Sequence, residues 1–169
     1  MTFIGKGAII EPGAQIFKDC IIGKNSIVGA NAVLRPFTVI GHHSIFGTLS
    51  CSEGHCIIGS YTTVHAQCHI TKGVTIGDNC FIAPFFIATN TPDITDGQHG
   101  SSPTFSPKIK KTIIQYNVRI GANVRMIPGL TIGHHSIIDQ DTFLTHDVPP
   151  HSHIRGSSPN IGRDHIGRL

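Results

Sequence analysis

Residues 4–34 read IGKGAIIEPGAQIFKDCIIGKNSIVGANAVL, and every sixth position in this stretch is a large aliphatic: Ile4, Ile10, Ile16, Ile22, Val28 and Leu34. The step continues through Ile40, Phe46, Ser52, Ile58, Val64, Ile70, Ile76 and Ile82, so twelve of fourteen positions are Ile, Leu or Val. Those three types fill 40 of 169 residues, and composition alone would supply about three such matches. Two places before each aliphatic, from Ala8 to Cys80, every residue is Ala, Cys, Ser, Thr or Val. Glycine follows the aliphatic residue in seven of the fourteen cases.

A period of six matches neither the 3.6 of a helix nor the simple alternation of a strand, but it suits a short strand and a tight corner repeated in series. The large side chain fills the inside of a corner, the small one packs beside it, and glycine is expected to ease the turn. Three repeats close one coil of eighteen residues. Stacked coils then satisfy each other's backbone groups as parallel strands do, giving a triangular prism.

The register is lost after Ile82 and returns at Ile114, Ile120, Met126, Ile132, Ile138 and Leu144. The gap is two residues longer than five repeats, a slip the prism cannot absorb, so a loop protrudes between about Ala88 and Thr112. Its sequence, TNTPDITDGQHGSSPTFSPKIKK, is rich in turn formers, and long loops in compact folds usually carry function. The expected architecture is all-β, with a β-helix domain over 1–148, the protruding loop at about 88–112, and a C-terminal extension over 149–169 read as an extended tail.

Composition excludes several classes of function. Apolar residues at 39% and charged ones at 14% describe a chain that folds in water, and no run approaches the ~18 apolar residues of a membrane span. The start, MTFIGKGAII, lacks the charged and apolar regions of a secretory signal, so the expected compartment is the cytoplasm. Five cysteines without a CxxC pair indicate neither a disulfide framework nor a thiolate zinc site. A net charge of +3, with basic residues scattered, gives no nucleic-acid footprint. Twelve histidines are the anomaly.

The pattern resembles the hexapeptide-repeat proteins with a left-handed parallel β-helix, over roughly residues 4–156. The resemblance implies the left hand and a homotrimer with active sites in the clefts between prisms. The segment IGANVRMIPGLTIG (120–133), followed by THDVPP (145–150), is similar to the final coils of CoA-dependent acyltransferases. VTIGDNCFIAPFFIATNTPD (74–93) is similar to nucleotide-linked amino-sugar N-acetyltransferases, in which a Thr-Asn pair opens the protruding loop. Thr89 and Asn90 fall on that pair. By this resemblance Asn90 orients the acceptor amine; as a local element it caps the loop turn.

Acyl transfer to an amine needs a neutral nucleophile, a proton acceptor and donors for the developing oxyanion. His69 lies between inward Cys68 and inward Ile70, so alternation turns it out of a flat face, where trimer clefts form. His65 sits just past a corner nearby. One of the two is the expected proton acceptor, with His55 and His99 as weaker candidates. His42, His43, His134 and His135, in two GHHS corners, are expected to be solvated turn residues, as are His146, His151, His153 and His165. No metal site is expected. Cys20, Cys56, Cys68 and Cys80 occupy the small inward position and read as core atoms, which points to direct transfer without a cysteine acyl-enzyme. Cys51 lies off that register.

The resemblance assigns the acyl donor, acetyl-CoA or a similar thioester, to the corner of Ala122 and the corner one coil later, where Gln140 replaces the family's usual small residue. Thr145-His146-Asp147 and GSSP (156–159) also depart from its usual Thr-Lys-Asp and GNPA. Arg155 and Arg163 can meet the adenosine phosphates or only water. Lys108, Lys110 and Lys111 can face a nucleotide diphosphate or only water. The reading is an acyltransferase acting on a sugar amine. An O-acetyltransferase, a γ-class carbonic anhydrase-like zinc enzyme and a non-enzymatic scaffold are the alternatives. The zinc reading is disfavoured by His65 and His69 standing four apart, where that class has a pair five apart.

Overall fold

The computed structural model describes residues 1–92 and 108–156, and every regular element among them is a two-residue strand. The strands form three parallel sheets of seven, eight and seven members. Face 1 runs from Phe3–Ile4 through Ile21–Ile22 and Val39–Ile40 to Thr131–Ile132; face 2 from Ile9–Ile10 to His153–Ile154; face 3 from Gln15–Ile16 to Phe143–Leu144. Each strand pairs with the one a full coil later, as Phe3 with Ile21 and Ile9 with Ile27. The chain is a left-handed parallel β-helix, as expected.

The period is written directly into the packing. The sixth-position side chains Ile22, Val28, Leu34, Ile58, Val64 and Ile76 are fully buried in one continuous core. The small inward residues bury hydroxyls that the backbone satisfies: Ser44 Oγ donates to Gly59 O at 2.7 Å and accepts from Thr62 N at 3.1 Å. Such partners remove the ~1–3 kcal/mol penalty of an orphaned buried hydroxyl. Ser52, which breaks the aliphatic series, is likewise matched by a Thr38 hydroxyl at 2.7 Å.

The corners turn by a different device from the one the glycines imply. The residue three places after the aliphatic takes the left-handed conformation; Asn25, Asn31, Asn79, Asn117 and Asn123 all have φ between 55° and 58°. Asparagine tolerates that region better than most side chains. Gly59, directly after an aliphatic residue, serves instead to let coils touch: a Cβ there would lie 2.4 Å from the backbone carbon of Gly77 in the next coil.

The register survives one step past Ile82. Phe86 takes the small inward position and Ala88 the large one, both with 0% exposure. Ile87–Ala88 pairs with both His69–Ile70 and Arg125–Met126. The two volumes are exchanged, so the coil closes although the letters no longer follow the pattern. The loop departs after this strand, and the chain rejoins face 1 at Ile113–Ile114.

At the C-terminal end His153–Ile154 adds the eighth strand to face 2, pairing with Ile137–Ile138 at an offset of sixteen residues rather than eighteen. No helix among the described residues is long and apolar enough to cross a membrane.

Candidate functional site

The edge where face 3 turns into face 1 is also the edge from which the loop leaves. Glu53 follows Ser52 at this edge, and its backbone is fixed by a hydrogen bond from Glu53 N to Ile70 O at 2.9 Å. His69, outward on face 3, brings Nε2 to 2.8 Å from Glu53 Oε1, both side chains being nearly half exposed. Glu53 Oε2 also accepts from Lys72 N at 3.4 Å. One coil up, Asn90 Nδ2 donates to Lys72 O at 3.2 Å, and Asn90 O accepts from Lys110 N at 2.8 Å. A continuous set of contacts therefore joins His69, Glu53, Lys72, Asn90 and the returning end of the loop.

The sequence pattern missed Glu53. Its signal was available: with eighteen residues per coil, a position sixteen before an outward histidine lies on the neighbouring coil, two places around the edge. The carboxylate gives the imidazole a direction. Accepting the Nε2 proton, it leaves Nδ1 with a lone pair, the form in which histidine takes up a proton.

A hollow of about 310 Å³ opens beside the pair, lined by Lys18, Arg35, Phe37, Glu53, His55 and Lys72. His55 stacks on Phe37 with ring centroids 4.7 Å apart. A second hollow of about 330 Å³ adjoins it, walled by Ile57, Thr75, Ile109 and Lys111. Three cations against one carboxylate in the first, with Lys111 added by the second, favour an anionic ligand. An aromatic floor offers a stacking surface for a planar ring.

The other candidates lie elsewhere. His65 is on the edge between faces 2 and 3, its ring edge-on to Phe81 at 5.4 Å. Among the described residues no carboxylate bonds to it. Ala122, Gln140 and Arg155 line that same edge: Asp141 N donates to Ala122 O at 2.9 Å, and a Cβ on Gly121 would touch Gln140 N at 2.4 Å. Gly156 stacks on Gln140 O in the same way. Asn90 fills the loop-capping part through its bonds to Lys72 and Lys110, and Thr91 Oγ1 donates to its side-chain oxygen at 3.0 Å. Thr89 Oγ1 donates to Met126 O at 2.7 Å. His99, Arg163 and His165 lie outside the described residues.

Burial raises every cysteine above the ordinary thiol range, and Cys68 is pushed up to about 11. Cys20, Cys56, Cys68 and Cys80 are buried, as the inward register implied. A thiol so protonated is a poor nucleophile.

The expectation of no metal site meets a different arrangement. Among the described residues His134, His135 and His151 form one group with ligand atoms all within 4.8 Å of one another. Neither His65 nor His69 is part of it.

Comparison with known proteins places the chain. The family described as bacterial transferase hexapeptide (six repeats) matches residues 1–36 and 55–85. A bifunctional protein GlmU of Alkaliphilus metalliredigens is 27% identical over 163 residues, covering 88% of this chain and 35% of that protein. A UDP-3-O-acylglucosamine N-acyltransferase of Wolinella succinogenes is 33% identical over 73 residues, 43% of this chain and 23% of that protein. The chain thus spans between about a quarter and a third of the length of these two relatives. A hexapeptide-repeat acetyltransferase of Vibrio cholerae, solved with acetyl coenzyme A, superposes with a TM-score of 0.59 at 25% identity, over 71% of this chain and 66% of that one. In repeat and coil geometry the chain is a parallel β-helix of six-residue repeats, and it is similar to the acyltransferases built on that fold.

Proposed function

We propose that the protein transfers an acetyl or similar acyl group from acyl-CoA to the amine of a nucleotide-linked sugar, by direct attack, in the cytoplasm. The observation that carries this reading is the Glu53–His69 pair at 2.8 Å beside the Asn90–Lys72 contact. The relatives support the reaction class: one is named for N-acylation of a UDP-linked glucosamine, and another is solved with acetyl coenzyme A.

In the proposed reaction the acceptor amine attacks the thioester carbonyl and passes its proton to Nδ1 of His69. Glu53 holds the imidazole by the opposite nitrogen and offsets the charge of the imidazolium that forms. Collapse of the tetrahedral adduct breaks the carbon–sulfur bond, and the CoA thiolate leaves to take up a proton. Amide and free thiol are the products. Asn90, held at the base of the loop, positions the acceptor, while Lys18, Arg35 and Lys72 meet its diphosphate. Ala122, Gln140 and Arg155 form the donor cleft on the other edge, so the complete site needs that edge of a neighbouring subunit, in a homotrimer. His69 is preferred to His65 because, among the described residues, a carboxylate orients His69 and none bonds to His65.

The test follows thiol release from acetyl-CoA with a panel of nucleotide amino sugars. His69→Ala should lower kcat by about 10²–10⁴, with assembly unchanged by gel filtration. Glu53→Gln should lower it less, and His65→Ala should leave it near the wild-type value. Full turnover by His69→Ala removes His69 from the mechanism, and absence of any thiol release with every acceptor rejects the reaction class.

A further inference from the structure

The edge between faces 1 and 2 carries a ladder of left-handed residues, among them Asn25, His43, Tyr61, Asn79, Asn117, His135 and His151, all with φ between 55° and 59°. Two GHHS corners, at 41–44 and 133–136, place a second imidazole, His42 or His134, directly before the ladder position. The corners differ in the rung that follows. Above the first stands Tyr61, whose N donates to His42 O at 3.0 Å; its ring stacks on His43 at 5.1 Å and meets His42 edge-on at 5.2 Å. Above the second stands His151, whose N donates to His134 O at 2.9 Å; its ring stacks on His135 at 4.9 Å and meets His134 edge-on at 5.0 Å. Backbone and ring arrangement repeat, but a phenol in one is an imidazole in the other.

We propose that His134, His135 and His151 form a binding site for a zinc ion, with water completing its coordination. Three imidazoles and an open position make a set that zinc accepts, at Zn–N distances near 2.0–2.1 Å. Tetrahedral ligation at that length separates the nitrogens by about 3.3 Å. The Nδ1 atoms of His134 and His135 are 2.9 Å apart, and all three donor atoms lie within 4.8 Å of one another. These separations bracket the required one, and small rotations of partly exposed rings close the difference. At 2.9 Å one of the two Nδ1 atoms must carry the proton between them, and zinc takes that proton's place.

The surroundings hold the rings for this role. Tyr116 stacks under His134 at 4.9 Å and 10°. Gln115 Oε1 accepts from His134 N at 2.9 Å, and His135 N donates to Tyr116 O at 3.2 Å, which fix the corner backbone. The Asn117 amide lies 3.0 Å from His135 Nε2. With its oxygen turned toward the ring it accepts the Nε2 proton and leaves Nδ1 for the metal, the usual outer-shell partner of a ligating histidine. The site lies on a different edge from the Glu53–His69 pair and does not depend on the proposed transfer reaction. It ties the last two rungs of the helix together.

The experiment titrates the untagged full-length chain with zinc chloride in competition with a chromogenic chelator, and follows thermal unfolding with and without the metal. The wild type should bind one zinc per chain at this site and melt at a higher temperature when loaded. His151→Tyr rebuilds the upper corner as the lower one and should weaken binding about 100-fold or more, since loss of an outer-shell partner alone costs 10–100-fold. His135→Asn places the ladder's commonest residue at its left-handed position and should do the same, which keeps the test in force if the tyrosine disturbs folding. His43→Ala, at the corner lacking a third imidazole, should bind as the wild type does. Retention of wild-type affinity by His151→Tyr or His135→Asn, equal loss in His43→Ala, or no stoichiometric zinc on the wild type overturns the site.

Discussion

Exchanging Phe86 and Ala88 tests the idea that each coil is closed by summed volume rather than by a fixed residue at each place. Both side chains have 0% exposure, and both belong to the same core cluster. Phe86→Ala removes a buried ring, a change that costs about 3–5 kcal/mol. Ala88→Ile forces a branched side chain into a filled space, at about 1–3 kcal/mol. If the residues did not share a volume, the double variant would lose the sum, roughly 4–8 kcal/mol. They stand two apart on one inward row, so Phe86→Ala with Ala88→Ile restores the common pattern. The coil then lacks three side-chain carbons, a four-carbon chain standing in for a seven-carbon one, and at ~0.8 kcal/mol per buried carbon the double variant should lose only about 2–3 kcal/mol. The assay is urea unfolding of wild type, both single variants and the double, at one chain concentration. The slope with denaturant should be unchanged, so that midpoint shifts report stability. A double variant whose loss equals the sum of the singles within about 0.5 kcal/mol refutes the shared-volume reasoning.

Thiol accessibility gives a second test. On the folded chain at pH 8 only half-buried Cys51 should react with a thiol reagent, and slowly, because burial and then Glu53 hold its thiol above the ordinary range. The other four should react only on unfolding; two or more fast thiols in the native chain would contradict the burial. Gly59→Ala should destabilise by about 2–3 kcal/mol, since the new Cβ meets Gly77 backbone at 2.4 Å and overpacking has that cost. Gly73→Asn, at φ 85° with only side-chain atoms within 4 Å, should cost under about 1 kcal/mol. Reversal of that order, read from unfolding midpoints, would show that corner conformation and not coil contact governs the glycines.

Much of the fold was legible because its information is local. A large aliphatic every sixth place, with a small residue two before it, is a statement about volume inside one corner, and each repeat states it again. The outward direction of His69 and the burial of Cys20, Cys56, Cys68 and Cys80 followed from the same alternation. The reading stopped a step early at Ile82, since Phe86 and Ala88 preserve the total volume while exchanging places, and a pattern of letters registers places and not sums.

The tertiary structure alone decided what depends on one coil lying over another. Glu53 and His69 are sixteen residues apart and meet because stacking brings the third face's outer row beside the edge of the previous coil. Asn90 reaches Lys72 by the same stacking. His134 and His135 read as solvated corners until the shortened final coil sets His151 above them, where in an otherwise like corner Tyr61 stands. The sequence by itself thus determined the inside of the prism, where every side chain answers to its own repeat. Its outer surface was decided by the contact of neighbouring turns, whose partners are chosen by coil length and by where the loop leaves, quantities no single repeat contains.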